Sequence, residues 1–117
     1  MLIDLNPSQF YIRDNHVFIK DTSKPFMLLI HQEWCGHCVH FMPDYLKLSN
    51  MTNRFNFFKL NGDLLNKNTA LSNQLKVEGY PTILFGNEKG LIVEEYNGNR
   101  DIVSLSNKIK SVCKYCF

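Results

Sequence analysis

The segment Trp34-Cys35-Gly36-His37-Cys38 has the residue types and the spacing that thiol–disulfide exchange requires. It follows the apolar run Phe26-Met27-Leu28-Leu29-Ile30, so Cys35 falls where a strand gives way to a helix. There its sulfur faces unpaired backbone N–H groups and the positive end of the helix dipole. Both favour thiolate over thiol and are expected to lower the pKa of Cys35. Cys38 lies one helical turn further on and less exposed. Cys35 is therefore the expected nucleophile, and Cys38 the thiol that resolves the mixed disulfide. His37 further stabilises the thiolate, and a stabilised reduced form makes the disulfide a stronger oxidant. Gly36 permits close approach of a substrate chain. Trp34, the sole tryptophan, reads either as an apolar contact surface beside the sulfur or as simple packing.

A second pair, Cys113-Lys114-Tyr115-Cys116, ends the sequence. Three readings stand open for it. It is two buried helical cysteines acting as small hydrophobes, a second redox pair relaying electrons between Cys35–Cys38 and a partner oxidase, or half of a four-thiolate zinc site. The long stretch between the two pairs speaks against zinc. His31, near the end of the apolar run, reads as packed, His40 as a surface or half-buried residue, and His16 carries no signal. No other metal set, no cofactor and no Cys–His protease arrangement is called for.

These residues need elements to hold them. The 117 residues suit a single domain, 1–117, with 44% hydrophobic and 21% charged residues. A net charge of +2 is too small to imply a nucleic-acid partner. The longest apolar run is far too short to cross a membrane. Neither terminus carries a recognisable signal, so the expected address is cytoplasmic, with a virion or an organelle as the alternatives.

Leu2 to Leu5 suits a short strand, and Pro7-Ser8 a turn or helix start. Asn15 to Lys20 fits either a strand or irregular structure. Phe26 to His31 reads as a central strand buried on both faces. A helix is expected from Cys35 to about Asn50. Its apolar stripe is Val39, Met42, Leu46 and Met51, widened by Phe41, Tyr45 and Leu48, with a kink at Pro43. A strand over Phe55–Leu60 and a helix over Asn66–Leu75 follow. Thr82–Phe85 and Leu91–Tyr96 form a hairpin around Gly86-Asn87-Glu88-Lys89-Gly90. The last helix starts near Asp101 and puts Ile102, Leu105, Ile109, Val112, Cys113 and Cys116 on one face. The order is mixed α/β, with a sheet covered by helices.

From about Leu2 to Lys110 the chain resembles the thioredoxin superfamily, and Cys-Gly-His-Cys resembles the catalytic domains of protein disulfide isomerases. Pro43 matches that family's helix-kinking proline, and Lys59-Leu60-Asn61-Gly62-Asp63 its following strand end. Val77-Glu78-Gly79-Tyr80-Pro81-Thr82 resembles its cis-proline loop, and Tyr96, Gly98 and Arg100 resemble the end of its hairpin and its loop arginine. The resemblance implies a thioredoxin fold, a central mixed sheet flanked by helices. It also implies that Tyr80-Pro81 lies against the cysteine pair, that the Tyr80 backbone pairs with an extended substrate, and that Pro81 shields the dithiol from metal. Arg100 is implied to lower the pKa of Cys38. One departure matters. The family keeps a buried acid six residues before the first cysteine, and Leu29 stands there, leaving Lys59 without it. Leucine takes no proton, so base help for Cys38 comes from elsewhere, with Glu33 a conceivable source, or is missing and release of substrate is slow.

The leading expectation is a protein disulfide oxidoreductase, biased to oxidation or isomerisation. Its partners would be proteins with thiols or disulfides, and a sulfhydryl oxidase or a reductase. A cytoplasmic address favours the alternative of a reductase. Other classes are a peptide-binding module of low turnover working through Tyr80-Pro81, and a zinc protein.

Overall fold

The computed structural model describes Met1–Phe117. It runs β1 (Leu2–Leu5), a single 3-10 turn (Pro7–Gln9), β2 (Phe10–Arg13), β3 (His16–Ile19), β4 (Phe26–His31) and α1 (Gly36–Ser49). There follow β5 (Asn56–Asn61), α2 (Gly62–Asn66), α3 (Thr69–Leu75), β6 (Thr82–Gly86), β7 (Ile92–Tyr96) and α4 (Ile102–Val112).

The apolar run at Phe26 has no polar alternation, and all six residues of β4 are buried. That strand forms the middle of a five-stranded sheet ordered β1-β5-β4-β6-β7. β1, β5 and β4 are parallel, β6 is antiparallel to β4, and β7 is antiparallel to β6. Alternate residues of β4 feed two cores. Phe26, Leu28 and Ile30 join Phe58, Leu60 and Leu84 on one face. Met27 and Leu29 join Phe57, Ile83 and Phe85 on the other, under α1 and α4.

The covering of the first face differs from the expectation of helices alone. Phe10, Val17 and Ile19 of a β2–β3 hairpin pack there, beside Leu65 of α2 and Leu71 of α3. The hairpin turns through Asp14 and Asn15, at φ 53° and 63°. Positive φ at both central residues marks a type I′ hairpin turn, and Asp and Asn tolerate that region best after glycine.

Three further expectations need correcting. The buried face of α1 is Cys38, Phe41, Tyr45 and Leu48, while Val39, Leu46 and Met51 are exposed. Both stripes fit a helical period, and the position of the helix over β4 and β5 decides between them. The helix placed over Asn66–Leu75 starts only at Thr69, because Asn68 leaves helical geometry and its side chain caps Leu71 N–H, and a separate short helix, Gly62–Asn66, precedes it. The last helix ends at Val112, so Cys113 and Cys116 are not helical, and Val112 is exposed.

Candidate functional site

Cys35 is the N-cap residue of α1, and its Sγ accepts a hydrogen bond from Cys38 N–H at 3.3 Å. The fold thus uses a sulfur where serine or aspartate usually sits. The same N–H stabilises negative charge on that sulfur. From the other side the Cys35 thiol donates to the Tyr80 carbonyl oxygen at 3.6 Å. The Tyr80–Pro81 peptide is cis, and it lies in the loop before β6. Trp34 and Tyr80 stack edge to face, with ring centroids 5.9 Å apart. Trp34 remains 72% exposed, so it is not a packed core residue. The structure therefore brings Trp34, Cys35, Cys38, Tyr80 and Pro81 to one end of the sheet.

The two sulfurs differ in access. Cys35 is 6% exposed and Cys38 1%. Both are free thiols. Burial pushes the Cys38 thiol up to about 11, and the hydrogen bond with Cys35 pushes the same way. The Gln32 backbone and the charge of Arg100 act against this shift. Arg100 is exposed in the loop before α4 and reaches Cys38 through its field. His37 is exposed. A Cβ at Gly36 would meet nothing within 4 Å, so this fold itself does not require glycine there.

Leu29 is fully buried on the α1 side of β4, in register with Lys59 of β5. Lys59 pairs instead with Asp4 of β1, Nζ to Oδ2 3.5 Å. Two residues beyond Leu29 on the same face, His31 is buried and its Nε2 has no hydrogen-bond partner. Gln32 donates from Nε2 to Asp63 Oδ1 at 3.2 Å, while its buried Oε1 has no partner. Both residues line the cavity next to Cys38. From sequence His31 reads only as packed, and Gln32 carries no reading. The signal was there: a polar pair closing a run buried on both faces.

Cys113 and Cys116 form a disulfide. Cys116 is buried and shares a cavity with Ser49 to Arg54, just past the end of α1. Its Sγ lies 3.5 Å from the Arg54 carbonyl oxygen. The first pair sits at the opposite end of α1, a 14-residue helix, and such a helix is about 21 Å long. No single ion can bind both pairs, which removes the four-thiolate zinc reading. Direct exchange between the pairs within one molecule is excluded on the same ground.

A family model described as thioredoxin matches residues 9–111. The chain belongs to the thioredoxin family. It is 31% identical over 98 residues to a protein disulfide isomerase-like 2-1 of Oryza sativa subsp. japonica, across 81% of this chain and 26% of that protein. Over 112 residues it is 32% identical to protein disulfide-isomerase erp38 of Neurospora crassa, across 92% of this chain and 28% of that one. The chain spans about a quarter of the length of these curated relatives. Among solved structures, the short form of thioredoxin f from spinach chloroplast superposes with a TM-score of 0.71. It has 24% identity and covers 95% of this chain and 92% of that one. This likeness supports the thioredoxin fold, a mixed sheet flanked by helices.

Proposed function

We propose that the chain exchanges disulfides with protein substrates through Cys35 and Cys38, in the direction of oxidation or isomerisation. One observation carries this reading: Cys35 Sγ is held between the Cys38 N–H in the first turn of α1 and the Tyr80 carbonyl, with Cys38 buried behind it. In the oxidised state, a substrate thiolate attacks Cys35 Sγ and Cys38 leaves as thiolate. A second substrate thiol then displaces Cys35, and the substrate gains a disulfide while the pair takes up two electrons. Isomerisation begins from the reduced pair, with the Cys35 thiolate attacking a substrate disulfide. Exposed Trp34, edge to face with Tyr80, offers apolar contact for the substrate chain beside Cys35, next to the Tyr80–Pro81 peptide.

Names of relatives support the direction, since they are protein disulfide-isomerases. In a cytoplasm kept reducing by glutathione, net oxidation requires a partner that reoxidises Cys35–Cys38, and a sulfhydryl oxidase is the class that fits. The test is oxidative refolding of a scrambled protein beside reduction of insulin. Wild type is expected to accelerate refolding, and Cys35→Ser to abolish this. Insulin reduction without any refolding activity would establish the reductase instead. Binding of extended peptides with neither activity would establish the docking module.

A further inference from the structure

We propose that His31 accepts the proton of the Cys38 thiol through a water held in the cavity that both side chains line. This rests on the exchange reading above and names the group that serves where Leu29 cannot.

Four observations converge. His31 is only 9% exposed, and its Nε2 is buried without a partner. It lines a cavity of about 330 Å³ together with Cys38, Met42, Glu33 and Lys59. A cavity of that size with polar groups on its wall readily holds water. The Gln32 backbone, next along the chain from His31, is close enough to the Cys38 sulfur to stabilise its thiolate. Finally, β4 alternation places His31 on the face of Leu29, toward α1, where the resolving cysteine lies.

The surroundings of His31 keep it unprotonated, as an acceptor must be before it takes a proton. Burial holds its pKa below the usual histidine value, and Lys59 of β5 acts the same way. Asp4 of β1 and Glu33 of the loop after β4 oppose them. β6 brings no charged side chain, and α1 contributes Cys38. The imidazole is therefore neutral at pH 7 and able to take a proton, whereas Cys38 is a thiol that must lose one.

With substrate held on Cys35 as a mixed disulfide, the Cys38 proton passes through the water to His31 Nε2. The Cys38 thiolate attacks Cys35 Sγ, the Cys35–Cys38 bond forms, and the bond from Cys35 to the substrate sulfur breaks. The substrate leaves as a thiolate with the electron pair, and the imidazolium returns its proton to water. In the oxidising direction Cys38 leaves as thiolate and takes its proton from solvent through the same water, with His31 neutral throughout.

The test is single-turnover release of a disulfide-bonded peptide from the reduced full chain between pH 5 and 10, in wild type, His31→Leu and His31→Glu. In His31→Leu, release at pH 7 is expected to slow by about tenfold or more, and its rate to climb with pH up to pH 10. The first step, attack by Cys35, is expected to stay within about twofold, as for a group that acts only on Cys38. His31→Glu, which keeps a proton acceptor beside Lys59, is expected to recover most of the rate. Leucine replaces a buried imidazole that lacks a partner, so the fold should survive, and circular dichroism checks it. Release unchanged in rate and pH profile in His31→Leu, with wild type fully active, overturns the role of His31 and leaves the exchange reading standing. A wild type that never forms the mixed disulfide overturns both.

Discussion

Cys38 and His31 sit in surroundings that push their titrations apart, one thiol up to about 11 and one imidazole down. Such divergence marks an acid and a base that work together. For His31 it also has a consequence for stability. From pH 6.5 down to its lower native pKa, the unfolded chain binds more proton at this position than the native chain does. Stability then rises with pH through that window, and the contribution is lost on acidification. Urea titrations between pH 4.5 and 7.5 are expected to show a slope that His31→Leu flattens. Arg100 acts on Cys38 from an exposed position, so solvent screens it. Arg100→Gln is expected to slow peptide release by about two- to threefold in low salt, with the difference shrinking as salt is added. Trp34 is exposed, and nothing in the core depends on it. Trp34→Ala should raise KM for protein substrates while leaving reaction with a small disulfide unchanged; equal losses on both would place its role in the sulfur chemistry instead.

The elements present these residues at fixed depth. α1 is tied to the sheet at Tyr45, fully buried, whose hydroxyl lies 2.7 Å from the Phe58 carbonyl oxygen and 3.1 Å from that of Met27. Burial drives its phenol well above the usual tyrosine value. Tyr45→Phe keeps the packing but removes the buried hydroxyl's hydrogen bond, and a loss of about 1–2 kcal/mol is expected from denaturant midpoints. Strand β4 was legible because a run buried on both faces shows no alternation. The cysteine helix, the β6–β7 hairpin and the cis-proline loop were legible because Gly, Pro and Cys mark them. The β2–β3 hairpin was not, since its turn is Asp14-Asn15 rather than a glycine pair. The buried stripe of α1 was misassigned because Val39, Met42 and Leu46 have the same period as Phe41, Tyr45 and Leu48. Only docking on the sheet breaks that tie. His31 escaped for a related reason: a histidine ending an apolar strand reads as packed until its nitrogen proves to have no partner.

Across the whole molecule, chemistry is confined to one end. Cys35, Cys38 and Tyr80 gather at the C-terminal edge of β4, while the Cys113–Cys116 disulfide closes the other end against Arg54. A bridge over so short a loop constrains the unfolded chain only modestly, by about 2 kcal/mol. Replacing both cysteines by serine is expected to lower stability by about that amount and to leave exchange at Cys35–Cys38 within about twofold, because some 20 Å of helix separates the pairs. That double variant also gives a protein with one titratable dithiol, in which the potential of Cys35–Cys38 can be equilibrated against glutathione without interference. An oxidant or isomerase requires a value near −180 mV, and that is the expected result; a value near −270 mV, where thioredoxin lies, would contradict it and make the chain a reductase.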